Sequence, residues 1–287
     1  GQSHETTVAQ IVADELTLPM ERIRVQFGDT SSAPYGHGTF ASRSAVMGGG
    51  AALQSARHVS ELLLRVAAEH LEVDVADLAL RDGHAAVTGT STRVPIEDLA
   101  RWTYHRPEKL PDGMQAVLEA TTSYDAHPGT GTFANAAHLA LVEVDIETGA
   151  VTVLGYWVTE DCGTMINPLV VDGQVHGGVA QGLGGALLEE FVYDEDGQLT
   201  TTTFKDYRLI GATDIPRIAV SHLETPSPHT LLGTKGMGEG GAISPGAAIA
   251  SAVADALEPI GHVFVNELPL TPDRVRRFIR EARQAGG

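Results

Sequence analysis

The run Thr234-Lys235-Gly236-Met237-Gly238-Glu239-Gly240-Gly241-Ala242-Ile243-Ser244-Pro245 sets a single carboxylate, Glu239, among glycines directly ahead of a helix-like segment. A helix start carries partial positive charge and free N–H groups, so it suits either a bound anion or a carboxylate. Two readings stay open. Glu239 caps the helix that begins near Ile243, or it is a general base held on backbone with no neighbouring side chains to obstruct a substrate. The G-x-G-x-x-G formally present at Gly236, Gly238 and Gly241 is not a dinucleotide fingerprint. Thr225-Pro226-Ser227-Pro228-His229 before it does not read as a central strand, and too little chain follows for the rest of such a sheet.

Two more regions carry candidate chemistry. Asp161-Cys162-Gly163-Thr164-Met165-Ile166-Asn167-Pro168 leads into Gly173-Gln174-Val175-His176-Gly177-Gly178-Val179-Ala180-Gln181-Gly182-Leu183-Gly184. Each glycine there costs a helix about 1 kcal/mol relative to alanine, so the cluster needs a compensating reason. The amides of Gln174 and Gln181 both donate and accept, which suits a polar heterocycle or a phosphate better than a metal ion. The third region is Gly1-Gln2-Ser3-His4-Glu5-Thr6-Thr7 together with Gly36-His37-Gly38-Thr39-Phe40-Ala41-Ser42-Arg43-Ser44. Both stretches place hydroxyls and backbone N–H groups before a helix, a phosphate-binding arrangement, and Arg43 adds a charged fork. Helix capping by Thr6 or Ser44 is the plain alternative.

Composition removes several function classes. With 19 Lys+Arg against 37 Asp+Glu the formal charge is −18, which repels nucleic acid and anionic membranes. Cys162 is the only cysteine, so the chain alone holds no disulfide, zinc ribbon or iron–sulfur cluster. It reads as a small buried hydrophobe more than as a nucleophile. The 12 histidines contain no H-E-x-x-H pattern, and no direct metal ligand is assigned. Ser42 and Ser244 lack a nucleophile-elbow pattern. The most apolar run, Ile243 to Leu257, includes Asp255 and is shorter than the ~20 residues of a membrane span. Gly1-Gln2-Ser3-His4-Glu5 is neither a signal peptide nor an ordinary start, so the expectation is a processed or excised chain, cytoplasmic in location.

The elements that must position these residues follow from periodicity. Val8, Ile11, Val12 and Leu16 predict a helix, and Ile23, Val25 and Phe27 an alternating strand. A long helix is predicted from about Ser44 to His70. Asp82-Gly83 signals a hairpin, and Pro95 opens a short helix. The stretch from Thr122 to Ala134 is the candidate internal boundary. A second hairpin turns at Glu147-Thr148-Gly149, followed by a helix from Val171 to Glu190 and strands near Leu199–Phe204 and Ile218–Leu223. Helices at Ile243–Leu257 and Asp273–Ala282 close the chain, with Thr271 and Pro272 at the start of the last. This order predicts an α+β chain of two similar halves.

Taken in order, Gln2-Ser3-His4-Glu5-Thr6-Thr7, Gly38-Thr39-Phe40-Ala41-Ser42-Arg43-Ser44, the runs Asp161–Pro168 and Gly173–Gly184, and Lys235–Gly241 resemble the C-terminal half of the molybdenum-binding large subunit of the xanthine oxidase family. The flavour is that of its bacterial carbon monoxide/aldehyde dehydrogenase branch. The resemblance covers essentially the whole chain. It implies two two-layer α/β subdomains with mixed sheets, at residues 1–125 and 126–287. It also implies a molybdenum cofactor carried by a pterin dinucleotide, in bacteria molybdopterin cytosine dinucleotide. Gln2, Ser3, Thr39, Ser42, Arg43 and Ser44 would hold the pterin or its phosphates. Gln181, Gly182, Gly236 and Gly238 would lie toward the pterin–metal end, and Glu239 matches the family's catalytic base. The implied reaction is oxidative hydroxylation of an aldehyde, an N-heterocycle or CO. The implied partners are an N-terminal molybdenum-domain chain, an Fe–S subunit and an FAD subunit, beside the small-molecule substrate. The competing reading is a non-catalytic nucleotide-phosphate-binding or assembly module.

Overall fold

The computed structural model describes residues 2–33, 35–126 and 132–285. Gly1 and positions 127–131 of the expected boundary stretch lie outside the described residues. The chain divides into two compact units. One comprises residues 3–132 together with 227–235, and the other comprises Gln2, 133–226 and the chain from 236 onward.

In the first unit, α1 (His4–Leu16) buries Ala9, Ile11 and Ala13 and packs against α2 (Ser44–Leu71). β1 (Leu78–Arg81), β2 (His84–Val87) and β3 (Arg93–Pro95) form an antiparallel sheet in the order β1-β2-β3. The first hairpin turns at Asp82-Gly83, with φ of 47° and 73°, the positive pair that a two-residue turn between twisted strands requires. Helix α3 (Ile96–His105) starts directly after Pro95. Leu63, Val66, Ala67, Ala85, Val94 and Leu99 make the core between sheet and helices. The expected strand at Ile23–Phe27 does not form. Ile23 is extended, but the segment joins no sheet, and alternation without a ladder partner leaves backbone groups unpaired.

In the second unit, β4 (Asn135–Val144) and β5 (Val151–Asp161) are antiparallel, with an irregularity between Leu141 and Val142. Helix α4 (Pro168–Leu187) follows, and β6 (Ile218–Leu223) then pairs parallel with β5. β6 is therefore the far side of a crossover and does not pair with the chain just before it. The other expected strand, Leu199–Phe204, is replaced by turns with a single bridge, Tyr193–Leu199. Its threonine hydroxyls bond locally, Thr200 Oγ1 to the Val192 carbonyl and Thr203 Oγ1 to Asp206, which competes with a ladder. Helix α4 begins three residues before the predicted Val171 because Asn167 Oδ1 accepts from the Val170 N–H at 3.2 Å and Pro168 sits in the first turn.

The remaining helices are α5 (Gly240–Ile243), α6 (Pro245–Leu257) and α7 (Pro272–Ala285). Tyr156, Val158, Val175, Val179, Leu183, Ile249, Val253, Leu257 and Val275 are the centre of this unit's core. The helical run Gly240–Ile260 is longer than the apolar stretch seen in the sequence and meets the length and composition of a membrane span. Ile249, Val253 and Leu257 on it are fully buried in the core, and a soluble core helix passes the same test.

Candidate functional site

In the second unit, α4 carries glycines with two different uses. A Cβ on Gly178 would stand 2.8 Å from the backbone of Gly241 and Ala242, and one on Gly182 2.6 Å from Pro245. These two positions bring α4 against the start of α5 and α6, so part of the glycine cost is offset by close helix packing. Gly173, Gly177 and Gly185 face open space. With exposed Gln181 they follow an i, i+4 spacing along one side of α4, leaving its amide beside bare backbone.

Glu239 is exposed and stands at the N-cap position of α5. Its backbone is helical (φ −100°, ψ −8°) and its side chain makes no cap hydrogen bond to that helix. A side-chain cap needs a more extended backbone, so the capping reading of Glu239 is set aside. Gly238 is exposed and Gly236 half-buried on the approach to this turn, which is closed by Gly240 N–H to the Met237 carbonyl and Ala242 N–H to the Glu239 carbonyl, both 2.9 Å.

Behind the turn lies a carboxyl that the sequence reading missed. Glu160, on β5, is 1% exposed, and neither of its oxygens has a hydrogen-bond partner. Burial pushes its pKa up to about 7, with His222 opposing and Asp161 reinforcing the shift. His222 is its register neighbour on β6. The Nε2 of His222 lies 2.7 Å from Asp172 Oδ1 on α4, while its Nδ1 is buried without a partner. Alternation along β5 was the available signal, since Glu160 shares its face with buried Tyr156 and Val158. Next to it, Cys162 is 2% exposed and burial pushes its thiol up to about 11. That is the buried hydrophobe expected from the sequence, since a nucleophile needs its thiolate.

In the first unit, Ala41 (φ 55°) and Ser42 (φ 52°) are both left-handed in the turn before α2. Two consecutive non-glycine residues in that region cost energy and mark a constrained turn. The turn sets Thr39, Ser42, Arg43 and Ser44 at the start of a 28-residue helix. Arg43 stacks its guanidinium 5.3 Å from the Phe40 ring centre. Ser3 is also left-handed (φ 59°), and its carbonyl accepts from both the N–H and the hydroxyl of Thr7 at 2.9 Å. Thr6 lies inside α1 and Ser44 inside α2, and neither helix has a side-chain cap hydrogen bond. Capping therefore does not account for either stretch. The Nε2 of His4 is buried without a partner, and His4 meets Phe27 edge-on at 5.7 Å. Gln2 is exposed and is grouped with the second unit. Among the described residues, no group of three or more His, Cys, Asp or Glu could hold a metal ion.

Residues 1–216 match the model of the molybdopterin cofactor-binding domain family. The chain is 44% identical over 278 residues to the nicotine 6-hydroxylase large subunit of Paenarthrobacter nicotinovorans, covering 96% of this chain and 34% of that protein. It is 37% identical over 282 residues to the carbon monoxide dehydrogenase large chain of Hydrogenophaga pseudoflava, covering 98% and 34%. The structure superposes on quinoline 2-oxidoreductase from Pseudomonas putida 86 with a TM-score of 0.92 at 43% identity, covering 98% of this chain and 36% of that one. The chain thus spans about a third of the length of the relatives it matches.

Proposed function

Because the chain belongs to the molybdopterin cofactor-binding domain family, we propose that it is the C-terminal, cofactor-holding part of a molybdenum hydroxylase large subunit, with Glu239 as its general base. The observation that carries this reading is an exposed carboxylate placed between Gly238 and Gly240 at the head of α5, in a chain whose relatives are oxidising large subunits. A module that only bound phosphates gains nothing from that acid.

The donor set suits a pterin dinucleotide. The hydroxyls of Thr39, Ser42 and Ser44 and the fork of Arg43 precede a long helix, where N–H groups and the helix dipole favour phosphate. Gln2 and Ser3 precede α1, and the amide of Gln181 offers a donor and an acceptor to a heterocycle. Gly236 and Gly238 carry no side chain on the approach to Glu239, and Gly182 stands beside Gln181 with its own flank packed on Pro245. The absence of a clustered metal-ligand set among the described residues suits a metal held by an organic group. In this reading the group is molybdopterin cytosine dinucleotide. When bound, it supplies the redox chemistry and an oxygen nucleophile made reactive near neutral pH. The residues of this chain would bind and orient it, and Glu239 would take up a proton at its carboxylate as a general base.

The substrate class is an aldehyde, an N-heterocycle or CO. Electrons leave through Fe–S and FAD subunits, and an N-terminal molybdenum-domain segment completes the large subunit, in the cytoplasm. In support, the relatives include a large chain of carbon monoxide dehydrogenase and a gamma subunit of a dehydrogenase complex. The test is Glu239→Gln in the native complex. Turnover should fall by at least a hundredfold, the scale of a lost general base, while molybdenum and extractable nucleotide stay at the wild-type level. Loss of cofactor in step with activity would move Glu239 from catalysis to binding. Full activity would remove it from both.

A further inference from the structure

We propose that Glu160 is a positioning residue for the turn that carries Glu239, and that it does this as an uncharged carboxylic acid packed behind Gly240. The inference rests on the reading of Glu239 as the base. An ideal Cβ on Gly240 would land on the Glu160 carboxyl, 2.8 Å from Oε2. The acid therefore fills the space directly behind the residue that follows Glu239, and the turn lies against it with no side chain between.

Glu160 is 1% exposed and both of its oxygens lack partners. Its register neighbour across the strand pair, His222, has one nitrogen on Asp172 and the other buried and unpartnered. A buried carboxyl with no hydrogen bond to its charged form is held more cheaply as the neutral acid. The elements around this pair bring further charges. β5 itself supplies Asp161 and Cys162, β6 supplies His222, α4 supplies Asp172, the segment after β6 supplies Glu224, and the turn supplies Glu239. Asp161 is occupied elsewhere, its Oδ1 accepting from the N–H of Gly163 and of Thr225 at 2.9 and 3.1 Å. Burial without a hydrogen bond favours the neutral form of Glu160, with His222 opposing and Asp161 reinforcing, and the displacement of its titration toward about 7 agrees. Above that point an ionised Glu160 stands behind the turn.

The experiment uses the protein as purified, with whatever subunits accompany the chain, and reads two signals that need no turnover. Infrared spectra with carbon-13-labelled glutamate should show the carbonyl stretch of a protonated acid that disappears near pH 7 and is missing in Glu160→Gln. Amide exchange of the peptide spanning 237–243, corrected for intrinsic rates, should change several-fold across the same range in wild type and stay flat in Glu160→Gln. His222→Gln leaves the acid in place, and its titration midpoint should move upward. An acid at 160 ionised throughout, or an exchange step that persists in Glu160→Gln, overturns the proposal. If Glu160→Gln does not fold, an unmoved midpoint in His222→Gln overturns it. A protein that carries no molybdenum cofactor would defeat the functional reading while leaving both signals intact. A loaded protein with flat signals would defeat this inference alone.

Discussion

A carboxyl buried without a hydrogen-bond partner makes stability depend on pH in the direction opposite to that of a salt-bridged acid. Glu160 is raised from its ordinary value of 4.5 to about 7 by burial. Between those two values the unfolded chain has released its proton and the folded chain has kept it, so the folded state binds more protons and stability falls as pH rises. Below the ordinary value both states are protonated and the term vanishes, whereas above about 7 it is constant. The size is on the order of 3 kcal/mol, at 1.36 kcal/mol per unit. Unfolding of wild type and Glu160→Gln, compared at pH ~4.5 and pH ~7, should therefore show wild type losing stability relative to the variant across that window. Parallel curves would show that Glu160 is ionised in the folded chain. The same residue shows where the sequence was opaque. Glu239 stood out because glycines surround it. Glu160 sits in an ordinary strand whose alternation marks its face, but the turn before α5 that lies against its carboxyl is a contact that no local pattern encodes.

At the level of elements, α4 separates glycines that pack from glycines that are open. Gly178→Ala would drive a Cβ into the backbone of Gly241 and Ala242, atoms that cannot rotate away. Overpacking of this kind costs about 1–3 kcal/mol, more than the helix gains from alanine. Gly177→Ala meets nothing within 4 Å and should stabilise the helix by up to about 1 kcal/mol. Chemical denaturation of the two variants checks the pair, and equal effects would mean that α4 and α5 do not touch at Gly178. The elements that periodicity marks well are those whose stabilising contacts are local. α1, α2, the Asp82-Gly83 hairpin and the long β4–β5 hairpin all carry their own turn or face signal. Failures came where pairing is remote. Ile23–Phe27 alternates but finds no neighbour, and the partner of β6, β5, lies across a crossover of more than fifty residues. Segment 227–235 belongs with the first unit, where Leu231 N–H reaches the Tyr124 hydroxyl at 3.2 Å. Nothing in its composition signals that return.

For the whole molecule, the controlling fact is that the relatives are about three times as long as the matched region. The outer face of the β4-β5-β6 sheet is consistent with a chain that works as part of something larger. Leu139, Leu141 and Trp157 lie on it, and Leu139 is 64% exposed. Leu223 extends the same face on β6. Side chains of that size left open to water forgo about 1.5–3 kcal/mol each of burial energy, and an apolar face of this extent is a mark of association. The chemistry argues the same way. In the reading proposed above, electrons leave through redox centres of partner subunits, since a chain with one cysteine holds no iron–sulfur cluster by itself. On that reading the rest of the large subunit completes the site, so the 287-residue chain purified alone should not oxidise aldehydes or N-heterocycles with a dye acceptor, even when supplied with the cofactor. The complex assembled with the rest of the large subunit should, and Glu239→Gln in that complex should not. Dye reduction by the isolated chain at the rate of the complex would show that these residues make a complete active site, and that the other two thirds of the relatives' length is not needed for it.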